Sequence, residues 1–289
     1  MKTIYKINLA RIIYKSLILF GIKRKISIYK SSIKWSLDLS EGIDLSIFLF
    51  GAFQKSIISS ILNLIKKINK KNNRNKINFI DVGSNIGDKS LTITRKLLDQ
   101  NIDNFQVYSI EPTEFAYNKQ IKNINLNKGL KKKISLFNYF ISNKKKKYSK
   151  IYSSWSLKEK NNKHNIHGGF LKKIRKNTQN ISLDYFFSKK RIKNNIIVKI
   201  DVDGFELNVL KSCEKSIRKE NIVFFMEYAP YAFEEHGANI NQFFSFVKKN
   251  NLKTYDLNFK QLNYIKIGKG QSIDIILAKK NFFEKLVKN

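Results

Sequence analysis

From residue 77 onward, apolar runs of strand length alternate with stretches of helical periodicity. Ile77 to Val82, Phe105 to Ile110, Ile134 to Ile141, Ile196 to Ile200 and Ile222 to Tyr228 are mostly apolar, as strands covered on both faces of a sheet must be. The segments between them repeat apolar residues three and four apart. They predict a helix over roughly Asp88 to Asp99, with Leu91, Arg95 and Leu98 on one face, and others over Thr113 to Asn125, Phe205 to Lys219 and Ile240 to Lys249. Regular exchange of strand and helix predicts an α/β domain of Rossmann-like, doubly wound type, its mostly parallel sheet joined by right-handed crossovers. The last two strands, Lys253 to Phe259 and Ser272 to Ala278, are expected to pair as an antiparallel C-terminal edge.

Before residue 77 the texture differs. Residues 1–34 read as a basic lead-in, weakly ordered or helical, and Trp35 to Asp44 introduces an apolar segment, Ile47 to Phe53. A helix follows with Lys66 and Lys67 near its C-terminal end, where cations suit the helix dipole. We therefore expect a small basic, helical N-terminal extension over 1–76 and the α/β domain over 77–280. Residues 143–180, rich in Lys, Asn and Ser and containing Trp155 and Gly168-Gly169, break the rhythm and read as a long loop over the mouth of a site.

Composition adjusts this picture only in part. At 289 residues and 42% apolar content the chain can bury one sizeable core. A formal charge of +34 ordinarily points to nucleic acid or an anionic membrane. Here, however, lysine is spread over every segment alongside abundant Asn and Ile and almost no Pro, the balance that AT-rich codons produce, and the charge is read as compositional. The run Lys144 to Lys147 reads as a solvated turn. Cys213 is the single cysteine, so no intrachain disulfide forms and a cytoplasmic location is allowed. Its helical spacing from Leu210 and Ile217 marks a core thiol. The early apolar residues Ile12, Ile13 and Leu17 to Phe20 are interrupted by Arg11 and Lys15 and followed by Lys23, Arg24 and Lys25. The run does not read as a convincing signal peptide, and it is too short to span a bilayer. As a basic amphipathic helix it suits packing against the domain, the commoner fate, or contact with a membrane surface.

Chemistry concentrates where strands end. Phe79-Ile80-Asp81-Val82-Gly83-Ser84-Asn85-Ile86-Gly87-Asp88 reads as strand, glycine turn and helix, and Tyr108-Ser109-Ile110-Glu111-Pro112 as the next strand ending in an acid. Gly83 permits a positive φ, and Gly87 presents no Cβ to a ligand or to the helix start. Glu111 lies near the spacing at which an acid accepts hydrogen bonds from ribose hydroxyls. The G-x-N-x-G turn lacks the lysine and Ser/Thr of a phosphate-binding loop, and a carboxylate at Asp81 repels phosphate and suits a cation. S-adenosylmethionine, with its ammonium, sulfonium and ribose and no phosphate, fits this set, with Asp81, Gly83, Asn85, Gly87 and Glu111 as the residues expected to bind it.

A second stretch, Val198-Lys199-Ile200-Asp201-Val202-Asp203-Gly204-Phe205-Glu206, repeats strand, acidic turn, glycine and helix. With the first motif, Glu111-Pro112 and the following Asn123-x-x-Leu126-Asn127, it resembles the FkbM-type methyltransferases and their K-x-D-x-E-G-x-E signature, over about Trp35 to Leu277. The chain has Asp203 where that family usually has glutamate, a carboxylate shorter by one methylene. The resemblance implies transfer of a methyl group from S-adenosylmethionine to an acceptor such as a hydroxyl of a sugar, glycan or secondary metabolite. An RNA methyltransferase, favoured by charge, and a non-catalytic module on the same fold are the alternatives. A hydroxyl acceptor needs a base, and the candidates are Asp201, Glu206, Glu227 and His236, with Asp201 first because its strand end points at the cofactor. Glu206, in a first helical turn, also suits the helix dipole alone. His164 and His167 sit three apart in a polar loop without a third ligand, so no metal is expected.

Overall fold

The computed structural model describes residues 3–71, 74–143, 150–153, 157, 170–235, 238–265, 267–268 and 270–288. The expectations for Lys144 to Lys147, Trp155, His164, His167, Gly168-Gly169 and His236 lie outside these residues.

A seven-stranded sheet forms the centre. Its strands are β1 (Ile77–Val82), β2 (Phe105–Ile110), β3 (Ile134–Phe137), β4 (Ile196–Ile200), β5 (Ile222–Tyr228), β6 (Leu252–Tyr255) and β7 (Ile273–Lys279). Across the sheet the order is β6-β7-β5-β4-β1-β2-β3. All neighbours from β3 to β5 are parallel, and β7 runs antiparallel to both β5 and β6. The two last strands do pair antiparallel, with β7 inserted between β5 and β6 so that β6 forms the edge. Strand order reverses direction at β1, between β4 and β2, and the carboxyl ends beside such a reversal are where open α/β sheets place ligands.

Residue parity sorts the core into two layers, because neighbouring side chains on a strand face opposite ways. Phe79, Val107, Ile197 and Phe225 face one layer, shared with Trp35, Ile57, Ile61 and Leu91. Ile80, Ile110, Val198 and Met226 face the other, shared with Phe186, Leu210 and Phe243. Residues on both sides of position 77 thus pack into one continuous apolar layer. The lead-in is a helix, Thr3–Leu19, followed by a hairpin of Lys25–Lys30 and Ile33–Asp38.

Two predicted elements divide. The strand expected over 134–141 breaks at Asn138. Ile134–Phe137 stays in the sheet as β3, while Tyr139–Ile141 pairs with Gln179–Ile181 in a separate ribbon. The cause is Asn138, whose amide donates to the Glu111 carbonyl at 2.9 Å and pulls the chain toward the site. The helix expected over 205–219 is two helices, α4 (Glu206–Lys211) and Glu214–Lys219. At the break Ser212 Oγ accepts from Leu183 N at 3.1 Å, and Asp184 accepts from Ser216 N at 2.7 Å. Helix α3 (Leu183–Lys190) therefore anchors where backbone groups are left free.

Candidate functional site

Helices α1 (Asp88–Leu98) and α2 (Glu114–Leu126) follow β1 and β2 and bring the two halves of the site together. Register places Lys199 of β4 beside Asp81 of β1, and Asp81 beside Ser109 of β2, so all three project on the α1 side of the sheet. Asp81 is fully buried. One of its oxygens accepts from Ser90 Oγ of α1 at 2.7 Å, and the other lies 3.5 Å from Lys199 Nζ. Ser90 in turn meets Ser109 at 2.7 Å, and Gln120 donates to Ser84 and Ser109. Asp81 thus sits in the floor beneath the cleft.

Lys199 reaches past that floor. Its Nζ is 3.1 Å from Asp201 Oδ2 and 3.4 Å from the Gly83 carbonyl. Burial alone would depress the ammonium, but Asp201 and Asp81 outweigh it and hold it above its ordinary range. Burial pushes Asp201 up, and Lys199 with Lys89 pulls it further down, so its carboxyl ends below the usual range. The Asp201 side chain keeps 22% of its surface exposed.

The first turn has the expected backbone. Gly83 has φ +77°, and a Cβ there would lie 1.9 Å from the Asp201 carbonyl oxygen, so two strand ends meet with only glycine between them. Asn85 also adopts a positive φ, 48°, a conformation asparagine tolerates. Gly87 has φ +87°, and its missing Cβ leaves room for Gln120, 3.2 Å away. Glu111 organises this turn: Oε2 accepts from Asn85 N at 3.0 Å and Oε1 from Thr113 N at 2.9 Å and Thr113 Oγ1 at 2.5 Å. Thr113 sits at the cap position of α2 but gives its hydroxyl to Glu111 and makes no side-chain cap bond. Burial raises the Glu111 carboxyl against the pull of these hydrogen bonds.

The second turn is strained in the same sense. Asp203 has φ 49° and Gly204 φ 99°, and Glu206 Oε1 accepts from Val202 N at 3.1 Å and Gly204 N at 3.2 Å. Glu206 is almost wholly buried, and burial lifts its carboxyl to about 7. It fastens the turn and does not border the cleft. Glu227, at the end of β5, does border it. Burial, and then the nearby Asp201 charge, push Glu227 up to about 8. Asp274, its register partner on β7, rises to about 6 for the same two reasons.

These residues surround a cleft with two chambers joined at Gly83, Asn85, Asp201 and Asp203. The first lies between Glu111, Tyr139, Phe140, Ile141 and Phe205. The second is polar, with Asp88, Lys89, Lys199 and Glu227 in its wall. A slot walled by aromatic and aliphatic side chains with Glu111 on one side, joined through Asp201 and Asp203 to a more polar slot, suits a ligand with a flat heterocycle at one end and charge at the other.

A family model described as the methyltransferase FkbM domain matches residues 81–260, well over half of the sequence. The chain belongs to the FkbM methyltransferase family. No protein of curated function matches it significantly. Among solved structures, the chain is similar to an FkbM methyltransferase from Methylobacillus flagellatus KT, at 13% identity and TM-score 0.36 over 70% of this chain and 43% of that one. It thus spans less than half of that protein. It is also similar to precorrin-6y C5,15-methyltransferase from Geobacter metallireducens GS-15, at 9% identity and TM-score 0.38 over 74% and 86% of the two chains. A third is magnesium protoporphyrin IX methyltransferase from Synechocystis PCC 6803 with bound S-adenosylmethionine, at 6% identity and TM-score 0.39 over 77% and 79%. Likeness at this distance carries no information on the acceptor.

In this FkbM methyltransferase, sequence reasoning missed Lys89, Phe140, Phe205 and Asp274. Lys89 is buried, 2.9 Å from Asp88 and 4.5 Å from the centre of the Phe53 ring. Its signal was a lysine in the first turn of α1, where the helix dipole disfavours a cation. Asp274 was visible as an acid inside the apolar run Ile273 to Leu277. Phe140 and Phe205 carried no signal, since their edge-to-face contact at 5.5 Å depends on the break at Asn138. The Asn123 and Asn127 pair proves structural. Asn123 bonds Ser36 N and the Ile86 carbonyl, and Asn127 bonds both backbone groups of Lys34, clamping the N-terminal hairpin to α2 and the first turn.

Proposed function

We propose that this chain uses S-adenosylmethionine to methylate a hydroxyl of a sugar, glycan or secondary metabolite. The observation that supports this best is Glu111, buried at the carboxyl end of β2 and facing an apolar chamber beside the Gly83 to Asn85 turn. Three donors already hold its carboxylate, and Oε2 takes only one of them, leaving acceptor capacity for a ribose hydroxyl. Phe140 and Phe205 line the chamber that would take a purine. In the polar chamber the carboxylates of Asp88, Asp201 and Asp203 outnumber Lys89 and Lys199, which suits a ligand carrying an ammonium and a sulfonium. When bound, the cofactor supplies an electrophilic methyl on a leaving group that needs no protonation.

The protein's part is to align the acceptor and take its proton. Alignment of reactants is worth roughly 7 to 11 kcal/mol, and a positioned base about 10² to 10⁴ in rate. Asp201 was the first candidate from sequence, but an acid held anionic by Lys199 and Lys89 is a weak base. Glu227, lifted to about 8, is matched to proton removal near neutral pH, with Asp201 as the anion that orients the acceptor. The test is incubation with methyl-labelled S-adenosylmethionine and a panel of free and lipid-linked saccharides, followed by mass spectrometry. Label on a hydroxyl oxygen is expected. Label confined to nitrogen or carbon would overturn the acceptor class.

A further inference from the structure

We propose that the first helix, Thr3–Leu19, docks the protein on an anionic lipid bilayer by laying its outward face into the headgroup region. The helix carries apolar residues on two opposite faces. Ile7 is buried at 1% exposure, and Ala10, Ile13, Tyr14 and Leu17 are partly buried, the face turned to the helix Gly42–Phe50 with which it makes contact. The other face stays in solvent. Tyr5, Leu9, Ile12, Leu19 and the following Phe20 are 58%, 52%, 63%, 85% and 82% exposed. Their spacing of four, three and seven residues puts Tyr5, Leu9, Ile12 and Leu19 on one stripe of the surface, since a helix turns about 100° per residue.

Charge selects the occupant. Lys6 and Lys15 fall on either side of the stripe at that angular step, and Lys23, Arg24 and Lys25 follow at its end. An apolar stripe with basic flanks and no acid within residues 3–25 matches an anionic bilayer surface, where apolar side chains enter the acyl boundary and cations meet the headgroups. A second copy of the chain would bring the same cations together and repel. Among the described residues no single helix is long and apolar enough to cross a membrane, so the contact lies in the surface plane. The inference does not depend on methyl transfer.

Non-specific attraction of a +34 protein to anionic vesicles must be separated from insertion. The full chain would be mixed with vesicles of phosphatidylcholine alone, or with phosphatidylglycerol added, in about 0.15 M and about 0.5 M salt, where screening lengths fall from about 8 Å to a few Å. Binding to the anionic vesicles that persists in part at the higher salt is expected. A triple variant Leu9→Ser, Ile12→Ser, Leu19→Ser should bind at least tenfold more weakly, with an unchanged circular dichroism spectrum. In a Phe20→Trp variant, brominated lipid should quench the added fluorescence. Unaltered binding of the triple variant, together with no quenching of Trp at position 20, would mean adsorption by charge alone and would overturn the proposal. So would a wild-type dimer in sedimentation that the triple variant dissociates.

Discussion

In the proposed reaction Glu227 and Asp201 divide the work of a pair of acids whose charges interact. The base form of Glu227 is the deprotonated one, and its carboxyl lies at about 8, so turnover should rise with pH through that region and level off above it. Glu227→Gln should lower kcat about 10² or more while leaving cofactor affinity intact. Asp201 is one of the charges that lifts Glu227, so Asp201→Asn should move the rising limb of the pH profile to lower pH, as well as weakening acceptor binding. A pH–rate curve that is flat in the wild type, or unmoved in Asp201→Asn, would remove Glu227 as the base. The sequence located these acids because each ends a strand in an otherwise apolar run. It could not rank them, since the ranking comes from Lys89 and Lys199, whose approach is a matter of packing.

At the scale of elements, the two glycine turns and the strands that carry them were legible because apolar runs of five or six residues followed by Gly at a turn leave few alternatives. Breaks at Asn138 and Ser212 were not, because each arises from a bond to a distant element, Glu111 in one case and α3 in the other. The contact between β1 and β4 offers a sharp test. Gly83→Ala needs both a left-handed backbone, which costs an L-residue roughly 1 to 2 kcal/mol, and space that the Asp201 carbonyl already fills. Urea denaturation should show a loss of at least about 2 kcal/mol, and an equally stable Gly83→Ala would mean that the turn can relax. Asn123 and Asn127 teach a related lesson: a motif quoted as part of a family signature holds the hairpin on the domain rather than touching the cleft.

For the whole molecule, the mostly parallel sheet with an antiparallel C-terminal edge follows from period and length, the insertion of β7 between β5 and β6 comes only from the structure, and matching 81–260 to the FkbM methyltransferase domain fixes the family. The N-terminal residues are less separate than their composition suggests, since Trp35 and Ile61 share a layer with Phe79 and Leu91. The excess of lysine is distributed, and purely electrostatic contacts weaken steeply with salt. Any RNA binding should therefore be lost by about 0.2 M salt and show no sequence preference in a filter or fluorescence assay. Retention of a preferred RNA at that salt would revive the RNA methyltransferase reading.

The most direct test is calorimetric titration of the full chain with S-adenosylhomocysteine, the product that remains after the methyl group leaves. One site per chain is expected, and Glu111→Ala should weaken it by roughly 1 to 3 kcal/mol, the range for lost hydrogen bonds to a charged group. Because Glu111 also holds Asn85 and Thr113, the variant's melting temperature must be followed beside its affinity. No binding by the wild-type protein, or full affinity in a folded Glu111→Ala, would contradict the assignment of this cleft to the methyl donor.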